Sequence, residues 1–371
     1  MFLKKLKPLK PDSILGLVSK FNKDNKISKI NLTVGELFFH TMEESYLFDY
    51  NFIMKKLNVT SDKYLSNSSK YLPIIGLEQF IKSSENFIFG NNKNRVGIQT
   101  LSGTGSLTIG NYLLSLIDTT IYIPKNSWPN HFNIFNNYKT FSKINDLLEI
   151  PNKSTILFHT CCNNPTGIDY NKNEWNEILK IMIKKKHIGY FDSAYLGLSS
   201  GDINIDAKPI RDFENNKIPI IVSTSYAKNF GLYGQRIGSL FFNFFDKDNE
   251  LIYLQYLQKY IRKLYSNPPR AGAEMALYLM DNKNLLQKWN TLLKIILQQQ
   301  NGIRIQLYNQ LNWDILNNNG LFFICPLNKE QIITLREQYG IYLLENGRIN
   351  ISALNNKNIY YFIKCIKKVI N

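Results

Sequence analysis

The chain has 371 residues, 44% hydrophobic and 20% charged, with a formal net charge of +16. That length exceeds one simple core and points to two domains, and the composition excludes a disordered chain. No stretch approaches the roughly 18 uninterrupted apolar residues of a membrane span. The lysines are spread along the whole chain rather than gathered into the basic stripe of a nucleic-acid binder, so runs such as Lys184-Lys185-Lys186 read as solvated helix face.

The N-terminal segment Met1 to Lys10 is basic, without the apolar core or small-residue cleavage site of a secretory signal. From Phe48 to Ile295, short β-type runs alternate with helical stretches. Strands are predicted at Thr119 to Ile123, Ser154 to His159, His187 to Asp192 and Pro219 to Thr224. Turn signals follow them at Pro124, Asn164-Pro165-Thr166-Gly167 and Gly231. Asn173 to Lys185 carries Trp175, Ile178, Leu179, Met182 and Ile183 at helical spacing. Alternating strands and helices imply an α/β fold with a mainly parallel sheet covered on both faces. In such sheets ligands sit beyond the carboxyl ends of the strands.

Helices are predicted over Leu251 to Leu264 and, as a long rod leaving the large domain, Asn284 to Gln299. The last section reads as a smaller α+β domain. It has strands at Leu321 to Cys325 and Arg348 to Ser352, and helices at Lys329 to Gln338 and Ile359 to Ile370. Cys161, Cys162, Cys325 and Cys365 show neither CxxC nor Cys/His metal spacing. They read as buried thiols in a reducing compartment, and no metal site is expected.

Chemistry is sought after the predicted strands. Lys228 follows one of them, with Ser225 before it and Arg236 after it. A lone lysine is ordinarily a surface residue. Here a hydroxyl and a guanidinium beside it can hold an anion, and neighbouring positive charge lowers the amine pKa so that it can attack an aldehyde. Ser102-Gly103-Thr104-Gly105 lies before the apolar stretch Leu107 to Leu116, either as a plain helix start or as a phosphate cradle. Asp192 ends a strand, with Tyr195 close behind. It is either a helix cap or the partner of a pyridine nitrogen, which it would keep protonated. Asn164 stands in a Pro/Gly turn and Trp128 in Ser127-Trp-Pro-Asn-His131, where turn formation and packing are the ordinary explanations.

Taken together, these residues resemble the aspartate aminotransferase branch of the fold-type I, pyridoxal-phosphate-dependent aminotransferases. The resemblance rests on Pro11-Asp-Ser-Ile-Leu-Gly-Leu17, Asn31-Leu-Thr-Val-Gly35, Tyr71-Leu-Pro-Ile-Ile-Gly76, Ser102 to Gly105 and Trp128 to His131. It continues through His159 to Gly167, Phe191 to Gly201, Ser223 to Gly238, Tyr265-Ser-Asn-Pro-Pro269 and Gly347-Arg-Ile-Asn350. The motifs run in one order over nearly the whole chain.

The resemblance implies a seven-stranded, mainly parallel sheet in a large domain, 47–295. It implies a small domain from 11–46 and 296–371, an N-terminal arm, 1–10, and a homodimer with shared active sites. It makes Lys228 the covalent carrier of pyridoxal 5'-phosphate and the proton shuttle. Asp192 would pair with the ring nitrogen with His131 behind it, Tyr195 and Asn164 would bond the ring oxygen, and Trp128 would stack on the ring. The phosphate would lie among Ser102, Gly103, Thr104, Ser225 and Arg236, with Tyr71 reaching across from the partner. Arg348 would take the α-carboxylate and Arg262, from the neighbouring subunit, a distal one. Gly35 and Phe322 would line the substrate. A pair of arginine forks selects dicarboxylates. The implied activity is aspartate:2-oxoglutarate amino transfer in the cytoplasm, by a ping-pong cycle. An aromatic or broad-range transaminase and a catalytically silent dimeric paralogue are the alternatives.

The chain departs from the family pattern in places. The stretch between His131 and His159 is short, Glu36-Leu-Phe-Phe-His40 follows Gly35, and Gly234-Gln235 precedes Arg236.

Overall fold

Runs of Ile, Val, Phe and Tyr set the central layer of the computed structural model, which describes residues 12, 14–60, 68, 70–93 and 95–370. The expected arm 1–10, and Pro11 and Ser13 of the first motif, lie outside the described residues. Seven strands form one sheet: β1 Val96–Leu101, β2 Ile121–Pro124, β3 Tyr138–Phe141, β4 Thr155–His159, β5 Ile188–Ser193, β6 Ile220–Ser225 and β7 Ile237–Asn243. Their order across the sheet is β1-β7-β6-β5-β4-β2-β3. Only β7 runs against its neighbours.

The predicted strands appear as β2, β4, β5 and β6, shifted by a residue or two. β1, β3 and β7 were not predicted. Glycine interrupts the strand pattern of β1 and β7, and glycine weakens a strand signal. Both are demanded by close packing. A Cβ on Gly97 would stand 2.4 Å from Phe241, and one on Gly238 would stand 2.4 Å from the Thr224 carbonyl and 2.7 Å from Ser102. Most of β3 is exposed, so it lacks the apolar alternation that marks a half-buried strand. The short stretch between His131 and His159 still delivers this edge strand.

Helix α1, Ser102–Leu116, begins where β1 ends. Ser102-Gly103-Thr104-Gly105 is therefore its first turn rather than a loop before it. Leu107, Gly110 and Leu114 recur at helical spacing and are buried with Ile109 and Leu113. Helix α2 spans Lys247–Leu264. Helix α3, Lys283–Leu311, runs 29 residues, roughly 45 Å at 1.5 Å per residue, and extends well past its predicted end at Gln299. Its Leu285, Trp289, Leu293 and Ile296 join the core on one face of the sheet, whereas Ile303 and Leu307 join a second core. One rod thus ties two cores together. Trp289 is fully buried and donates its indole N–H to the Asn229 carbonyl at 2.8 Å.

The second core lies under Phe322–Ile324 paired antiparallel with Arg348–Asn350, Ile30–Asn31 paired parallel with Ile341–Tyr342, and helices Lys329–Tyr339 and Ile359–Ile370. The segment after Gly35 forms a hairpin, Phe38–His40 against Ser45–Leu47. His40 Nε2 lies 2.9 Å from the Ser352 carbonyl.

A buried ion cluster braces the edge of the large sheet. Arg95 bonds Glu85 at 2.7 Å and Glu214 at 2.6 Å, with all three side chains almost wholly enclosed. Burial pushes the Glu214 carboxyl up, but the Arg95 hydrogen bond and charge outweigh it and hold the group below the usual range. Removing one member strands the others. Arg95→Met is expected to lower the unfolding free energy by about 3–5 kcal/mol, read from the denaturant midpoint. A change within experimental error would show the cluster to be dispensable.

Candidate active site

Three parallel strands end at one place, as the sheet rule requires. His159 closes β4, Asp192 lies near the end of β5 and Ser225 closes β6. A cavity of about 200 Å³ opens beyond these ends. Its walls include Gly35, Ser102, Gly103, Thr104, Trp128, Asn164, Asp192, Tyr195, Ser225, Lys228, Arg236, Phe322 and Arg348. Thirteen predicted site residues, drawn from segments far apart in the chain, thus converge. His159, Ala194, Leu107 and Ile14 also line the cavity and were missed. His159 had one available signal, its position at the end of a predicted strand.

Lys228 points over the Tyr195 ring, its Nζ 5.2 Å from the ring centroid. Burial pulls its ammonium below the usual lysine range; Arg236 and Arg348 push the same way, and Asp192 opposes them. The neutral amine is therefore more accessible than in a surface lysine. Burial pushes the Tyr195 hydroxyl up, so it stays protonated.

Asp192 is held by a hydrogen-bond chain. The Asn164 amide N–H donates to His159 Nδ1 at 3.1 Å. Burial lowers the His159 pKa to about 4, so the ring is neutral and its remaining proton sits on Nε2. That nitrogen faces Ser127 Oγ at 3.2 Å, Ser127 Oγ faces His131 Nδ1 at 2.8 Å, and His131 Nε2 faces Asp192 Oδ2 at 2.9 Å. Passing donors along this chain leaves His131 Nε2–H donating to Asp192. Burial pushes the Asp192 carboxyl up, but the His131 hydrogen bond and nearby positive charge outweigh it and hold it below its usual value. His131 is fully buried behind Asp192 rather than in the cavity wall. His131, His159 and Asp192 lie within 4.8 Å of one another. Their facing atoms are engaged in this chain, which accounts for the cluster without a metal.

The groups that could cradle an anion line the same cavity as Lys228. The first turn of α1 has no side-chain cap, and its Ser102, Gly103 and Thr104 line the cavity, where a helix N-terminus offers amide donors to an anion. Ser102 Oγ lies 3.0 Å from Ser225 Oγ. A Cβ on Gly103 would stand 3.2 Å from the Ser225 Cβ, a tight contact that a larger residue could make only by displacing Ser225 slightly. Arg236 adds a guanidinium at the rim, anchored by donating to the Tyr233 carbonyl at 3.1 Å.

Arg348 is 2% exposed. It donates to Asn164 Oδ1 at 3.1 Å and to the Thr33 carbonyl at 2.5 Å, and its guanidinium carbon lies 4.3 Å from the Phe322 ring centroid. No carboxylate pairs with it among the described residues, and its Nε has no partner. Burial lowers its pKa to about 10, which leaves it charged at neutral pH. A buried cation without a counter-ion is costly unless an anionic ligand completes it.

Tyr71 and Arg262 do not line this cavity. Tyr71 is 90% exposed and Arg262 is exposed, bonded to Ser266 Oγ. They share one surface region. Asn267 donates to the Leu72 carbonyl at 2.9 Å and Arg270 to the Lys70 carbonyl at 3.4 Å, which joins the Tyr71 segment to the turn after Arg262.

A desolvated lysine at the carboxyl edge of a mainly parallel sheet, between a carboxylate and an anion cradle, defines an α/β enzyme for carbonyl chemistry on an anionic ligand. Comparison with known proteins narrows that class. Residues 28–366 match the family described as aminotransferase class I and II. The mitochondrial aspartate aminotransferase of Gallus gallus is 33% identical, the match covering 97% of this chain and 92% of that protein. The cytoplasmic aspartate aminotransferase of Giardia lamblia superposes with a TM-score of 0.92 at 29% identity, over 100% of this chain and 98% of that one. The broad specificity aminotransferase of Leishmania mexicana superposes with a TM-score of 0.90 at 29% identity, over 99% and 97%. The chain belongs to the aminotransferase class I and II family.

Amino transfer offers a test of the chain behind Asp192. His131→Phe removes the donor that stabilises the carboxylate, so the Asp192 pKa is expected to rise. If that carboxylate must be ionised, the acid limb of the pH profile for kcat/KM moves to higher pH, and His131→Asn, which keeps a donor, moves it less. An unmoved limb in both variants would detach the chain from Asp192.

Proposed function

We propose that the chain is an aspartate:2-oxoglutarate aminotransferase that uses pyridoxal 5'-phosphate held on Lys228. The observation that carries this reading is Arg348, a buried guanidinium with no counter-ion, beside Asn164 in the cavity that Lys228 enters. Such a fork fits the α-carboxylate that every amino acid offers.

The donor set fits the cofactor. Ser102, Gly103, Thr104, Ser225 and Arg236 would hold its phosphate, Asp192 its ring nitrogen, Tyr195 and Asn164 its ring oxygen, and Trp128 one ring face. When bound, the cofactor supplies an aldehyde that receives the amino group and a protonated ring that withdraws electrons from the reacting carbon. The chain's residues supply the remainder. Asp192, kept ionised by His131, holds the proton on the ring nitrogen. Lys228 Nζ, as a neutral amine, would take the proton from the substrate α-carbon and deliver it to the cofactor carbon that receives the amino group, and would move it the opposite way when the second 2-oxo acid is aminated. Arg348 fixes the substrate carboxylate, while Gly35 and Phe322 close the walls around the side chain.

Tyr71 and Arg262 are assigned to a neighbouring copy's site, in a homodimer with shared active sites. Their common exposed region supports this, as do the exposed Leu251, Ile252, Tyr256 and Leu264 on α2. Arg262 would bind the distal carboxylate. We assign residues 11–46 and 296–371 to a small domain that moves against the large domain, 47–295, and we place the protein in the cytoplasm, as in the Giardia lamblia relative. Among the described residues no helix is long and apolar enough to cross a membrane.

A broad-range transaminase is the second reading, favoured by the similarity to the Leishmania mexicana enzyme and by the altered segment Glu36 to His40. The deciding experiment compares aspartate, phenylalanine and tyrosine as donors to 2-oxoglutarate by kcat/KM. Aspartate is expected to lead by at least about 10²-fold, given the penalty for leaving Arg262 unpaired. Comparable values for phenylalanine would replace the dicarboxylate reading with the broad-range one.

A further inference from the structure

A second buried arginine lies outside the site described above and, among the described residues, has no carboxylate partner either. Arg304, on α3, is 3% exposed. It donates to Asn301 Oδ1 at 2.8 Å and to the Gly320 carbonyl at 2.6 Å. Its Nε has no partner, and no ion pair involves it among the described residues. A guanidinium has five donors, so two neutral acceptors leave most of its capacity unused. Burial lowers its pKa to about 10, with Cys162 and Asp169 opposing. It is therefore still a cation at neutral pH.

Arg304 forms part of the wall of a cavity of about 300 Å³, between the Ser199–Ser200 turn, α3 and the Asn319–Gly320 turn. Lys294, Gln298 and Asn301 reach it from the same face of α3, spaced three or four residues apart. Among the described residues the wall thus carries two cations and several amide and hydroxyl groups, and no carboxylate. A neighbouring cavity, which shares Ser199, Ser200 and Asn319, does contain acids. Two of these are already engaged. Asp169 accepts from the Asn163 amide and Ser199 Oγ, and Asp206 from the Gly197, Ser199 and Ser200 amides. Those bonds hold both carboxylates in place, and neither forms an ion pair with Arg304 among the described residues.

We propose that this cavity is a binding site for a small oxyanion, a phosphate or carboxylate group, separate from the substrate cavity. A fork that is buried and short of acceptors recognises such a group, and the exposed Lys294 supplies a second charge in the same wall. The location gives the site a consequence. Its occupant touches the turn that follows Tyr195, the rod joining the two cores, and Gly320, two residues before the Phe322 that lines the substrate cavity. A bound anion ties these segments together, and its presence is felt at that wall.

The test titrates protein loaded with pyridoxal phosphate with inorganic phosphate, and in a second arm with acetate, by calorimetry. Saturable binding of at least one anion is expected, and the tighter arm identifies the chemistry. A lost charge-assisted hydrogen bond is worth about 1.5–3 kcal/mol, so Lys294→Gln and Arg304→Met should each weaken binding about tenfold or more. Lys288→Gln, an exposed change on the same helix outside the cavity, should leave it unchanged. Lys294 is exposed, so its variant keeps the test available even where Arg304→Met fails to fold. No saturable binding of either anion, or equal weakening by Lys288→Gln and Lys294→Gln, would overturn the proposal.

Discussion

Lys228→Ala is expected to lower kcat for amino transfer from aspartate to 2-oxoglutarate by about 10⁴-fold or more, because it removes both the covalent anchor and the proton carrier. The geometry leaves no substitute. Among the described residues, Lys228 is the one lysine in the cavity wall. The groups nearest it, Asp192 and Tyr195, are an ionised carboxylate committed to His131 and a hydroxyl that burial keeps protonated. The same variant should still retain the cofactor, since the first turn of α1, Ser225, Arg236 and Asp192 are untouched. Steady-state turnover and a cofactor-binding titration on one preparation separate the two effects. Near-normal turnover would remove Lys228 from the chemistry, and failure to bind the cofactor would assign it chiefly to retention.

Replacing Arg348 should separate function from stability. In Arg348→Met the substrate carboxylate loses a buried fork. Losses of about 3–5 kcal/mol for breaking such a pair translate into a fall of about 10²–10³-fold or more in kcat/KM. The fall should be alike for every amino donor, because every donor carries the α-carboxylate. Arg262→Leu, by contrast, should penalise dicarboxylates alone. Stability should change little. The variant leaves the Thr33 carbonyl short of a donor, at about 1–3 kcal/mol, but it also removes a buried cation that lacks a counter-ion, which offsets a similar amount. Arg348→Lys keeps the charge without the planar fork and should fall between. If Arg348→Met unfolded the protein while the donors remained distinguishable, the arginine would be structural.

Much of this site is legible in the sequence, for a physical reason. Groups that share one ligand must follow strands whose ends meet. The β4, β5 and β6 segments are continuous apolar runs closed by turn residues, so Asn164, Asp192, Tyr195, Ser225 and Lys228 could be placed at one edge of the sheet. Ser102 to Gly105 was recognisable as a phosphate-type turn, although its place inside the helix was not, because a helix that starts without a side-chain cap leaves no residue signature. β1 and β7 were hidden by glycines whose role is to admit Phe241 and Ser102 at close range, a long-range fact that no local pattern carries. The chain from His159 through Ser127 to His131 was likewise invisible. It links residues 32 apart through side-chain contacts alone. Arg304 carries no sequence signal at all, since an arginine on a long amphipathic helix resembles any solvated one, and its burial depends on contacts far along the chain.

The central claim is that Lys228 carries pyridoxal phosphate, and chemical trapping tests it most directly. Protein incubated with the cofactor is reduced with borohydride, digested, and its peptides are analysed by mass. The account predicts a phosphopyridoxyl group on Lys228 in the peptide spanning Tyr226 to Arg236, in near one-to-one proportion to the chain. Absence of that group, or its appearance on another lysine while Lys228 stays unmodified, would contradict it.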